Sequence, residues 1–139
     1  MNIFFDIDDT LLDVQKGLRP QTREVFQRLK EDGHTLFIWS GVGVRTREVR
    51  SLGLESYVEG VFQKPLDNHL HHAQRMLERG EIPVLPDLVV DDDQRIVTAL
   101  GGVQVQPYAN SGPEDTEMER VYRTITDHGN HSKPSETPT

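Results

Sequence analysis

No cysteine occurs in the 139 residues, which excludes disulfides, thiolate nucleophiles and cysteine metal sites and leaves the compartment open on that ground. No apolar run approaches the ~20 residues that span a bilayer, and the amino terminus lacks a basic segment followed by an apolar stretch of signal length. The expectation is a soluble, cytoplasmic protein without a membrane partner. Positive charge is also scarce. Lys and Arg number 15 against 23 Asp and Glu, and the formal net charge of -8 opposes loose binding to nucleic acid. Part of that charge lies in two clusters, Asp6, Asp8, Asp9 and Asp91, Asp92, Asp93, where a divalent cation would offset it. A nucleic-acid substrate therefore stays open.

What is present is organised around the first dozen residues. Ile3, Phe4 and Phe5 form a short apolar run that reads as a buried strand and ends in three carboxylates and Thr10. Nothing about folding asks for that ending. Side chains alternate along an extended strand, so Asp6 and Asp8 are expected to project the same way into a common pocket. Two carboxylates at ~5 Å repel by roughly 3 kcal/mol at an effective dielectric of about 20, so the pair needs a cation, a proton or bulk water.

A loop from Asp13 to Arg19 follows, then a helix expected from about Pro20 to Asp32, with Val25, Phe26 and Leu29 at helical spacing and Gly33 as a stop. Thr35 to Trp39 reads as a second buried strand feeding the turn Ser40-Gly41-Val42-Gly43. Val44, Val49 and Leu52 outline a short helix whose exposed positions carry Arg45, Arg47 and Arg50. Tyr57 to Phe62 is a weaker strand signal, closed by Gln63, Lys64 and Pro65. Leu66, Leu70, Ala73, Met76 and Leu77 read as the apolar stripe of a helix ended by Gly80. The nearby His69, His71 and His72 read as a polar face turned to solvent rather than as a metal site.

Leu88 to Val90 is a further buried strand, stopping on Asp91, Asp92 and Asp93. Ile96, Ala99 and Leu100 give a short helix, Val103 and Val105 a last strand, and Met118, Val121, Tyr122 and Ile125 an amphipathic helix. Strands that are apolar throughout and alternate with helices predict a single Rossmann-like α/β domain, its mainly parallel sheet of about five strands flanked by helices. That core is expected over residues 1–127, with 128–139, rich in Ser, Thr and Pro, as a disordered tail. Ligands bind outside the carboxyl ends of such strands, which brings together Asp6, Asp8, Ser40, Lys64, Asp91 and Asp92.

These residues, in this order, resemble the haloacid dehalogenase-like superfamily of Mg-dependent phosphohydrolases. Phe4-Phe5-Asp6-Ile7-Asp8-Asp9-Thr10 is similar to its first motif, an apolar strand followed by Asp-x-Asp-x-Thr. Ser40 matches its second motif, Lys64 its third, and Asp91 with Asp92 its fourth. The resemblance implies a phosphatase acting on a phosphomonoester, with Asp6 as nucleophile and Asp8 as general acid and base. It implies Mg2+ held by Asp6, the main-chain carbonyl of Asp8 and Asp91, with Asp92 close by. Ser40, Gly41 and Lys64 would bind the transferring group, and Arg45 could reach an anionic substrate. Asp8 separates phosphatases from dehalogenases, whose halide leaves without a proton.

Gly is common in the family where this chain has Asp9, and Asp9 has no role on this reading. The intervals Leu11 to Arg19 and Gly41 to Gln63 are too short for the family's capping domains, so no substantial cap is expected. An open site suits a phosphate on a bulky substrate, or one closed by a neighbouring copy in a homo-oligomer. Two other readings bear weighing. One is a non-catalytic phosphate- or metal-binding domain acting through a partner. The other is a receiver-type signalling domain, whose phosphoacceptor lies mid-chain and whose Lys lies near the end, the wrong order here.

Overall fold

The computed structural model describes residues 1–109 and 113–131. Five strands alternate with five helices: β1 (Asn2–Phe5), α1 (Thr22–Glu31), β2 (Thr35–Ser40), α2 (Thr46–Ser51), β3 (Gly60–Gln63), α3 (His69–Glu78), β4 (Leu88–Asp91), α4 (Gln94–Leu100), β5 (Gly102–Gln104) and α5 (Glu117–His131). Every strand pairing is parallel, in the order β3-β2-β1-β4-β5. The expected α/β architecture is therefore present, with the acidic first strand at the centre. Phe5 lies in register with Ile38 of β2 and Val90 of β4, so the carboxyl ends of the three middle strands meet at one edge.

A parallel sheet covered on both faces needs strands that are apolar on both. Alternation along β1 divides the core accordingly. Ile3 and Phe5 pack with Val25, Phe26 and Leu29 of α1 and Met118, Val121 and Ile125 of α5. Phe4 packs on the other face with Phe37, Trp39, Val89 and Ile96, its ring centroid 4.6 Å from that of Phe37 and 4.6 Å from that of Trp39. Each such side chain contributes about 1.5–3 kcal/mol of burial.

Glycine ends α1 and α3 where expected. Beyond α1, Gly33 at φ 92 lets its own amide donate to the Lys30 carbonyl (3.0 Å) while His34 donates to Leu29 (3.0 Å). Gly80, at φ 74, makes the same pair of closing bonds beyond α3. The start of α3 differs from the reading of its sequence. Asn68 adopts a left-handed conformation (φ 40, ψ 52), so the helix begins at His69 and Leu66 falls outside it, 65% exposed. Leu70 and Leu77 are exposed as well, and the inward positions are His69, Ala73 and Met76. The histidines therefore do not share one solvent-facing surface.

A 3₁₀ turn at Glu55–Tyr57 occupies the start of the weak strand signal and leaves β3 only four residues. Helix α5 continues to His131, past the expected start of the tail at His128, and residues 132–139 lie outside those described. Between Leu11 and Arg19 lies a loop, and between Gly41 and Gln63 only α2, the 3₁₀ turn and β3, so neither interval holds a cap. No helix among the described residues is long and apolar enough to cross a membrane.

Candidate active site

The amide of Asp6 donates to the Val90 carbonyl (3.0 Å), extending the β1–β4 ladder one residue before the chain turns. The turn is tight because the Ile7 carbonyl accepts from Thr10, Leu11 and Leu12 at 3.2, 2.8 and 3.0 Å. Asp8 therefore reaches the cleft from a turn, not by strand alternation, and this difference in backbone separates the two carboxylates. Asp6 is buried, whereas the Asp8 side chain is 50% exposed at the mouth.

Thr10 ties the first acidic cluster to the second. Its hydroxyl oxygen accepts from the Asp92 amide (3.2 Å) and lies within donating range of Asp6 Oδ2 (3.2 Å) and Asp92 Oδ1 (3.3 Å). Its carbonyl accepts from the Arg19 guanidinium (3.0 Å), which is 1% exposed and also bonds the Gln106 carbonyl (2.6 Å) and Asp115 (3.1 Å), with the Tyr108 ring at 5.0 Å. Arg19 thus locks the segment after β5 against the turn after β1. No sequence signal marks it, because its partners lie up to 96 residues away.

Asp9 occupies the left-handed region (φ 64), with its amide donating to the Leu12 carbonyl (2.8 Å) and its carbonyl accepting from Tyr108 (2.7 Å). Asp and Asn tolerate that conformation better than other side chains, which accounts for an acid where glycine would also serve. Burial, followed by Asp92 and Asp8, pushes its carboxyl upward.

Lys64 follows β3 and reaches inward between the two buried acids. Its ammonium donates to Asp6 Oδ1 (3.0 Å) and Asp91 Oδ2 (3.0 Å). Burial works to lower the Lys64 pKa, but Asp6 and Asp91 outweigh it and the net shift is upward. One ammonium does not suffice for the acids. Burial, reinforced by Asp91 and only partly opposed by Lys64, pushes Asp6 up to about 8, and burial also raises Asp91.

At the end of β4, the cap of α4 is Asp93, not Asp91 or Asp92. Its carboxylate accepts from the Arg95 amide (2.9 Å) and pairs with the Arg95 guanidinium (2.9 Å), which holds it down to about 2. The helix is thereby capped without drawing on Asp91 and Asp92. Asp6, Asp91 and Asp92 each offer an oxygen, all within 4.8 Å of one another. An all-oxygen, carboxylate-rich set short of positive charge fits a hard divalent cation such as Mg2+.

Ser40 is buried at the end of β2, and its hydroxyl accepts from the Val42 amide (3.3 Å) in the turn that carries Gly41. Arg45 is drawn to the carboxylates beside it rather than to Ser40. It pairs with Asp8 (2.8 Å) and Glu48 (3.4 Å). A cleft of about 310 Å³ joins Asp6, Asp8, Ser40, Gly41, Lys64, Asp91 and Asp92, and its wall also includes Val42, Leu66, His69 and Arg95. His69 was legible only as one of three polar histidines; the spacing of 69, 73 and 76 was the available sign that it faces inward.

A family model of haloacid dehalogenase-like hydrolases matches residues 3–58. The chain is also 28% identical to the Bacillus subtilis protein named "Putative phosphatase YkrA", over 60% of this chain and 38% of that one. Among solved structures, an uncharacterized protein from Listeria monocytogenes serotype 4b superposes with a TM-score of 0.65 at 11% identity, over 94% of this chain and 99% of its own. The core domain of a putative phosphoglycolate phosphatase from Streptococcus pneumoniae gives 0.54 at 17% identity, over 89% of this chain and 96% of its own. At these identities the two structures speak for the fold alone. The aligned stretch spans well under half of the Bacillus relative. The family match covers residues 3–58, which carry Asp6, Asp8 and Ser40, so this stretch is similar to haloacid dehalogenase-like hydrolases.

Proposed function

We propose that this protein is a Mg2+-dependent phosphatase that hydrolyses a phosphomonoester through an aspartyl phosphate on Asp6. The observation that carries this reading is the pairing of a buried Asp6, held between Lys64 and Thr10, with a half-exposed Asp8 at the mouth of the same cleft. A nucleophile needs a fixed position, and a proton carrier needs access to the leaving group and to water.

In this mechanism one Asp6 oxygen attacks phosphorus as the bond to the ester oxygen breaks, and Asp8 gives that oxygen its proton. Asp8, now a carboxylate, takes a proton from the water that next attacks phosphorus. The bond to Asp6 breaks, inorganic phosphate leaves, and both groups return to their starting states. Lys64 keeps Asp6 oriented and supplies positive charge beside the phosphoryl oxygens, while the Ser40 hydroxyl and the amides of its turn are placed to hydrogen-bond them. Asp6, the Asp8 carbonyl, Asp91 and Asp92 would hold Mg2+, which when bound offsets the negative charge of acids and phosphate together. Without a cap, the rest of the substrate extends over an open rim or against a second subunit.

The test is hydrolysis of 4-nitrophenyl phosphate with and without Mg2+, by wild type and by Asp6→Asn. Turnover that needs the metal and is lost in the variant supports the proposal. Robust Mg2+ binding without turnover across a broad phosphate panel would instead favour a binding domain of the same fold.

A further inference from the structure

We propose that His69 reads the leaving group, selecting phosphomonoesters whose leaving group carries oxygen acceptors, hydroxyl or carboxylate, close to the scissile ester. This rests on the phosphatase reading above and adds the side of the substrate that does not react.

His69 is 8% exposed and lines the cleft together with Asp6, Lys64, Leu66 and Arg95. The other buried polar side chains of that cleft are engaged: Asp6 with Lys64 and Thr10, Ser40 with the Val42 amide, and Asp91 with Lys64 and the Asp93 amide. The His69 imidazole has no hydrogen-bond partner among the described residues. The ring is largely buried, but its nitrogens, unlike the Trp39 indole N–H, are not sealed off, so a ligand atom in the cleft can reach them.

The backbone beneath it points the same way. Asn68 caps α3 in a left-handed conformation and its side chain makes no capping bond, while the first helical bond runs from the His72 amide to the Asn68 carbonyl (2.9 Å). The preceding amides of the helix start are therefore left as donors beside the imidazole. An imidazole N–H and free backbone amides together favour an oxygen acceptor.

Position gives the group its role. A second cleft, of about 440 Å³, runs between α3 and α4 and is lined by Asn68, His69, Leu70, Gln74 and Ala99. His69 belongs to both clefts. A leaving group too long for the phosphoryl site passes His69 on its way into this extension. Val42 and Leu66, both strongly exposed at the rim, offer apolar walls to its carbon skeleton.

The test compares wild type, His69→Ala and His69→Gln on phenyl phosphate, ribose 5-phosphate and 3-phosphoglycerate in the presence of Mg2+. Wild type should prefer at least one of the two oxygen-bearing substrates to phenyl phosphate, and which one it prefers tells hydroxyl from carboxylate. His69→Ala should lower kcat/KM for that substrate by roughly 10- to 100-fold, mainly through KM, while phenyl phosphate changes by less than about 3-fold. His69→Gln, which keeps a donor, should recover most of the loss. A preference for phenyl phosphate, or an equal effect of His69→Ala on all three substrates, overturns the proposal. Turnover of phenyl phosphate that requires Asp6 upholds the phosphatase reading even then. Absence of wild-type turnover on all three would overturn both.

Discussion

Lys64 Nζ lies 3.0 Å from Asp6 Oδ1 and 3.0 Å from Asp91 Oδ2, so a single ammonium bridges two buried acids. Replacing it with Met would strip Asp91 of its counter-charge and both acids of their shared donor. Breaking a buried pair in this way costs about 3–5 kcal/mol. Lys64→Met should therefore lower stability at neutral pH by that order in a denaturant titration and reduce turnover by at least ~100-fold. A variant as stable as wild type would show that Lys64 does not hold the acids together.

The pH dependence follows from Asp6. Its carboxyl is pushed up to about 8 by burial, against about 3.9 in an unfolded chain. Between those values the folded protein keeps a proton that the unfolded chain has released. Stability of the metal-free protein should therefore fall as pH rises from about 4 to about 8, by at most ~1.4 kcal/mol per pH unit for one group, and then level off. On the proposed reading Mg2+ would compete with that proton, so its stabilising effect should be greater at about pH 8 than at about pH 6. Melting curves at both pH values, with and without the metal, check this. An equal gain in Tm at each would contradict it.

Arg19 ties three distant segments together at Thr10, Gln106 and Asp115. Arg19→Met leaves two carbonyls and a carboxylate without their donor and should cost about 3–5 kcal/mol in unfolding free energy. Arg19→Lys should recover little, because one ammonium cannot reproduce the planar fork.

Asp9 tests whether its position is conformational. With φ at 64, Asp9→Gly should be neutral or stabilising by up to ~1 kcal/mol, and Asp9→Val should cost roughly 1–2 kcal/mol. Turnover of Asp9→Gly should stay close to wild type. A large loss would give the Asp9 carboxylate a direct part in the chemistry.

The sheet was legible because its strands carry their own signal. Phe4 and Phe5 face opposite layers of the core, as a continuous apolar run requires, and the glycines at 33 and 80 end their helices by a backbone geometry that their position announces. The four segments of the site could be read from the polar residues that end apolar strand signals, together with their order. Other features are tertiary and were not legible. Leu66 and Leu70 mimic helical spacing, but the left-handed Asn68 starts the helix after Leu66 and turns His69 inward. Asp8 reaches the cleft through the turn built on the Ile7 carbonyl, which strand periodicity does not describe. The resemblance singled out Asp91 and Asp92, but that Asp93 caps α4 depends on its pairing with Arg95, which no periodicity marks.

The claim that Asp6 attacks phosphorus is tested most directly by trapping the intermediate. Acid quenching during turnover of an aryl phosphate with Mg2+, followed by peptide mass analysis, should show one phosphoryl group on the peptide carrying Asp6, absent from Asp6→Asn together with turnover. Full turnover in Asp6→Asn, or a phosphoryl group trapped on a different residue, would contradict it.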